Sequence, residues 1–278
     1  MNAALNALLL SLVAGMGTGF GGLLAVVRKP GRRQFGFLMG MTAGVMISLS
    51  FLELVNEAWQ QAGYITATIG FGAGAICMFL IDILIPHVRF SEAETATPDQ
   101  PSQQVVMASG HPGRHQYRGR RRRRTPVLDP ILLKSGILIA IGITIHNFPE
   151  GVAVGAGYMQ SPQFGLFIAI AIMLHNIPEG IATALPLWES GMSRWASFRV
   201  AFFSGLVEPL GALAAALFLV SFRALIPGAL AFAGGVMVFI TLDELIPAAR
   251  EHGHEHFTAM GIITGAISVF LLSGVLGV

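Results

Sequence analysis

Charge is scarce in this chain. Only 12% of its 278 residues are charged, against about 25% in an ordinary soluble domain, and 54% are hydrophobic, with a mean hydropathy of +0.68. That deficit excludes a water-soluble globular domain and points to an integral membrane protein. Cysteine is rarer still: Cys77 stands alone, which excludes an internal disulfide framework. Lying in an apolar run, Cys77 reads as a small core residue. The N-terminus lacks the basic region of a cleavable signal peptide, so the first apolar stretch is expected to remain as a transmembrane helix.

A spanning helix needs about 20 mostly apolar residues. Eight stretches meet this, at roughly 4–27, 35–58, 64–87, 130–157, 163–186, 197–221, 226–249 and 257–277. The expected fold is therefore all-α, one transmembrane domain over 1–278. Its one long polar interruption, 88–128, holds His111, His115 and the run Arg120 to Arg124. Nothing there is periodic, so it is expected to be a disordered loop. Beside a membrane, the arginine run reads as a topology signal with anionic-lipid contact rather than a nucleic-acid site. Of the 17 Lys and Arg residues, 16 fall in or beside odd-numbered loops, and only Arg223 does not. The positive-inside rule then places the odd loops, 88–128 included, in the cytoplasm and both termini outside or in the periplasm. The expected location is the plasma or inner membrane.

Two near-copies organise the chain: His146-Asn147-Phe148-Pro149-Glu150-Gly151 and His175-Asn176-Ile177-Pro178-Glu179-Gly180. In each, an imidazole and a carboxylate stand four residues apart and share a helix face. Pro149 and Pro178 withhold a backbone donor, which frees a carbonyl one turn earlier and is expected to bend each helix. Two such helices facing each other assemble two His and two Glu, a ligand set for a divalent transition metal. Asn147 and Asn176, with Glu208 and shared Glu150 and Glu179, offer an oxygen-rich second set.

Other carboxylates inside apolar runs are costly and point to function. Glu208 precedes Pro209 deep in the sixth span, with no basic residue near in sequence, so it needs a cation or a proton. Glu53 and Glu244 are expected to line the outer and inner halves of a path, or else to snorkel as solvated carboxylates. Beyond span seven, His252, His254 and His256 alternate with acids and suit an ion on release, or form a plain polar loop. Glu53 and Glu244 are also mates in an internal repeat. Gly44-Val45-Met46 through Ala58 matches Gly235-Val236-Met237 through Ala249 at an offset of 191 (44 to 235), and Gly15 and Gly21 match Gly205 and Gly211 at 190 (15 to 205). Spans 1–3 thus repeat as spans 6–8 in inverted orientation, a transporter signature.

The doubled H-N-x-P-E-G motif, 29 residues apart (146 to 175), followed by Val207-Glu208-Pro209-Leu210-Gly211, resembles the ZIP (Zrt-, Irt-like) metal transporters, the bacterial zinc-uptake branch above all. The resemblance covers all eight spans. It implies passage of Zn²⁺, and often Fe²⁺, Mn²⁺ or Cd²⁺, into the cytoplasm by an elevator-type movement of spans 1, 4, 5 and 6 against the rest. It also implies a 3+2+3 inverted-repeat fold around a binuclear site between spans 4 and 5. Carried over by position, the first metal is held by His146, Glu150, His175 and Glu179, and the second by Asn147, Glu150, Asn176, Glu179 and Glu208. Some members carry Asp at the position of Asn176, and some place a thioether ligand where Met46 stands. The ion is cargo and no cofactor is called for. The partners are divalent ions and the bilayer, a homodimer is left open, and nucleic acid is excluded. A membrane zinc hydrolase or a metal sensor is the competing class. Against the hydrolase, the His-Glu-x-x-His motif of zinc proteases is absent.

Overall fold

The computed structural model describes residues 3–84 and 128–278. Among these, the long elements are all helical: α1 Ala3–Val27, α2 Arg32–Ser48, α3 Asn56–Leu84, α4 Pro130–Gln160, α5 Pro162–Glu189, α6 Arg194–Gly205, α7 Glu208–Ser221, α8 Ile226–Ile240, α9 Ile246–His252 and α10 Glu255–Leu276. Seven helical runs are long and apolar enough to cross a membrane. Local chemistry starts them where expected. The Ser161 hydroxyl accepts from Phe164 N at 3.1 Å with Pro162 in the first turn of α5, and Ser193 accepts from Ala196 N at 3.2 Å to open α6.

Burial sorts the helices. The most apolar window of α5 is 72% buried, whereas those of the Arg32–Leu84 run and of α10 are each 17% buried. So α5 is central, and the long run and α10 are peripheral. Their outer faces carry Tyr64, Ile69, Phe79, Phe270 and Leu271 uncovered. In water such a face would drive association; hydrocarbon solvates it without cost. Cys77 shares this outer position on α3, half-buried rather than in the core as expected.

The core is closed by small residues, since helices in lipid gain mainly from close packing. A Cβ on Gly44 would collide with the Ile262 carbonyl of α10, and one on Gly265 with the Met41 carbonyl of α2. The same pair of contacts joins α8 and α3, where Gly235 meets the Phe71 carbonyl and Gly74 the Phe232 carbonyl. The repeat offset of 191 carries each contact into its mate: 44 to 235, 71 to 262, 74 to 265 and 41 to 232. Two π-helical segments recur the same way, Leu49–Val55 after α2 and Thr241–Leu245 after α8. Each carries one of the repeat-mate carboxylates, Glu53 or Glu244.

Helix continuity departs from the expected spans in one place, the sixth. The Arg32–Leu84 run is interrupted by a kink at Gly63, φ 79°, ψ 168°, which falls in the gap expected between the second and third spans. Only glycine adopts that backbone without strain. The expected sixth span is two helices. Leu206 N and Val207 N bond back three residues, to the Phe203 and Ser204 carbonyls, and α7 restarts at Glu208. Conversely, α4 and α5 run through Pro149 and Pro178 as unbroken helices. A proline deletes one donor, and packing on both sides holds the rest of the ladder in place. The loop expected at 88–128, with His111, His115 and Arg120 to Arg124, lies outside the described residues except for Leu128.

Candidate metal centre

Helix spacing delivers the ligand pairs, and the packing of α4 on α5 brings them together. Glu150, His175 and Glu179 each offer a ligand atom within 4.8 Å of the others, and all three residues are buried. His175 Nε2 lies 3.2 Å from Glu150 Oε1. His146, one turn before Glu150 on α4, is buried as well, with Nε2 3.4 Å from Glu244 Oε1. The Glu150, His175 and Glu179 side chains therefore share one desolvated centre, and His146 stands beside it, within reach of the charges of Glu150 and Glu179.

That centre is short of donors. Glu150 Oε2, Glu179 Oε2, Asn147 Oδ1 and Asn176 Oδ1 are buried, and none receives a hydrogen bond from the described residues. Each such oxygen costs about 1–3 kcal/mol, more for a carboxylate, unless something positive meets it. Two imidazoles, two carboxylates and amide oxygens form a mixed N/O donor set suited to a divalent transition metal, and a dication would meet the orphaned oxygens.

The amides are turned by neighbouring helices. Asn147 Nδ2 donates to the Ser204 carbonyl at 2.9 Å, and Asn176 Nδ2 donates to the Ala14 carbonyl at 3.0 Å. These two bonds are repeat mates, 147 to 176 by 29 and 14 to 204 by 190. Symmetry then breaks. Asn176 Nδ2 also donates to Glu208 Oε2 at 2.7 Å, and Ser11 Oγ to Glu208 Oε1 at 3.4 Å, whereas the mate of Glu208 (208 less 190) is Thr18. Glu208 answers its own burial in a second way. As the first residue of α7 it sits at the positive end of that helix.

The other expected site residues divide. Glu244 joins the centre through His146. Met46 is fully buried on α2, where Thr241 Oγ1 approaches its Sδ at 3.5 Å. One turn earlier on the same helix, Thr42 Oγ1 donates to the His175 carbonyl at 3.2 Å. Glu53 is only half-buried, beside Glu57 and Ser273. His254 and His256 are exposed at the start of α10, their rings 5.7 Å apart. The side chain of His252 lies outside those described. Sequence reasoning missed Ser11, Thr42 and Thr241. Their one signal is a lone hydroxyl in an apolar helix, which is as common in plain packing. Removing the partner of a metal-ligating imidazole usually weakens binding about 10–100-fold. Glu244→Ala is expected to lose cation affinity to that extent by calorimetry, and unchanged affinity would detach Glu244 from the centre.

The family model described as ZIP Zinc transporter matches residues 85–273. A protein named zinc transporter ZupT from Oceanobacillus iheyensis is 38% identical over 288 aligned residues, spanning 98% of this chain and 100% of the relative. ZupT of Chlorobium limicola is 38% identical across 96% of this chain and 98% of its own length. The zinc transporter ZTP29 of Arabidopsis thaliana is 36% identical across 94% and 91%.

Proposed function

The chain belongs to the ZIP zinc transporter family, and we propose that it moves Zn²⁺, with Fe²⁺, Mn²⁺ and Cd²⁺ as further cargo, into the cytoplasm through the centre between α4 and α5. It is a multi-pass membrane transporter and not an enzyme, which sets aside the hydrolase. The observation that carries the site is the buried convergence of Glu150, His175 and Glu179 with oxygens that lack a donor. A dication in a desolvated centre must be neutralised. Glu150 and Glu179 supply two negative charges, while His146 and His175 bind as neutral imidazoles. Mixed His and carboxylate ligation also suits a carrier, since cargo held too tightly is never released. Asn147, Asn176 and Glu208 are the second, oxygen-rich position, beside the first. Glu244 faces His146 on the side of the basic loops and is the next carboxylate inward.

The membrane path is eight crossings in a 3+2+3 arrangement. At 1.5 Å per residue, the run Arg32–Leu84 would extend about 80 Å as one helix, against about 30 Å of hydrocarbon. Gly63 divides it into two crossings. All the basic residues but Arg223 then fall on one side, which is cytoplasmic, and both termini lie outside. Helices α1, α4, α5, α6 and α7 pack on one another, as do α2, α3, α8, α9 and α10, with α4 on α8 and α2 on α5 joining the groups. The first group carries seven of the eight polar groups at the centre, all but Glu244, and it slides against the second to expose the centre to each side in turn. Flux into proteoliposomes loaded with a Zn²⁺-sensitive dye tests this. Saturable influx by the wild type is expected; binding at the doubled motif without influx would sink the transport assignment.

A further inference from the structure

Between the two helix groups, at the end bearing the basic loops, lies a cavity of about 520 Å³ that the metal centre does not use. Leu24 of α1, Phe37 and Leu38 of α2 and Ile181 of α5 line its floor, and Arg28 and Arg33 stand at its rim. Cavities of this size hold one flexible organic ligand. The order of its walls is informative. Leu24 precedes Arg28 by one helical turn and Phe37 follows Arg33 by one turn, so apolar surface lies deeper in the membrane and charge lies at the helix ends.

The basic residues of this loop are unequally occupied. Lys29 is paired with Glu189, and Arg32 Nη2 donates to the Glu251 carbonyl. Arg33 and Arg28 have no carboxylate partner among the described residues. Arg33 instead lies over the Phe257 ring, 5.6 Å from its centroid. That contact takes up no hydrogen-bond acceptor, so the guanidinium N–H groups stay available for an anion. Two such cations over an apolar groove, at the inner membrane surface, have the chemistry of an anionic phospholipid site.

We infer that one anionic phospholipid binds here, its phosphate between Arg28 and Arg33 and one acyl chain against Leu24, Phe37, Leu38 and Ile181. The lipid touches both helix groups at once, α1 and α5 on one side and α2 and α10 on the other. Binding itself does not depend on the assigned cargo.

Native mass spectrometry of the full chain, with dioleoyl phosphatidylglycerol or dioleoyl phosphatidylcholine added, tests the inference. Retention of one phosphatidylglycerol is expected. Arg28→Gln together with Arg33→Gln should reduce it about thirtyfold, on the usual contribution per basic residue. Leu38→Trp, which fills the floor and keeps both cations, should reduce it as well. Arg223→Gln, on the opposite side, should leave it intact. Equal retention of phosphatidylcholine, survival of phosphatidylglycerol in the double variant, or an equal loss in Arg223→Gln would overturn the site. Displacement of the lipid by inorganic phosphate would show a bare anion site and would overturn it too.

Discussion

Glu179→Ala is expected to reduce Zn²⁺ influx into proteoliposomes to the level of protein-free vesicles. The loss is large because the residue is one of only two carboxylates in the three-residue convergence that neutralises the ion, and half the compensating charge disappears with it. His175→Ala should behave the same way, since its Nε2 lies in the same convergence. The fold should survive. Glu179 Oε2 is buried with no donor among the described residues, so deleting the carboxylate removes a desolvation cost rather than a bond. The metal-free thermal midpoint of Glu179→Ala should therefore equal or exceed that of the wild type. Added Zn²⁺ should raise the wild-type midpoint by mass action and leave the variant unmoved. Normal influx by either variant would remove the doubled motif from the transport path. A variant that unfolds without metal would show that the carboxylate holds the helices together instead.

Gly180→Val should produce the largest loss of folded protein. Gly180 ends the second motif, and a Cβ there would collide with the Thr18 carbonyl of α1. Gly21 on α1 answers it against the Ile177 carbonyl, so the two helices touch backbone to backbone beside the candidate ligands. A carbonyl cannot rotate away as a side chain tip can. Separating α1 from α5 should cost about 3 kcal/mol or more, at or above the upper end of ordinary overpacking. It should also shift Asn176, whose Nδ2 bonds the Ala14 carbonyl on the same helix. Gly151→Val should behave alike, because it meets the Glu208 carbonyl at the repeat-related place, 151 to 180 by 29 and 18 to 208 by 190. By contrast, a Cβ on Gly72 or Gly274 meets nothing within 4 Å, and alanine there should be neutral or slightly stabilising through helix propensity. The readout is the yield of monodisperse protein and its thermal midpoint. A monodisperse Gly180→Val with an unchanged midpoint would refute the close α1–α5 contact.

Much of this protein follows from spacing and composition. The shortage of charge requires a membrane, and His146 with Glu150, and His175 with Glu179, must share helix faces because four residues are close to one turn. The offsets of 191 and 29 (44 to 235, 146 to 175) are visible in the chain, and the contacts between helices obey them. Other features belong to the tertiary structure alone. That Ser11 meets Glu208, Glu244 meets His146, and Thr42 meets the His175 carbonyl depends on partners distant in sequence. The same holds for the break before Glu208 and the unbroken helix through Pro149. A proline or a buried carboxylate creates an unsatisfied polar group, and in hydrocarbon that group must be answered by whatever the neighbouring helix presents. Local spacing states the need, while only the packed bundle determines which atom meets it.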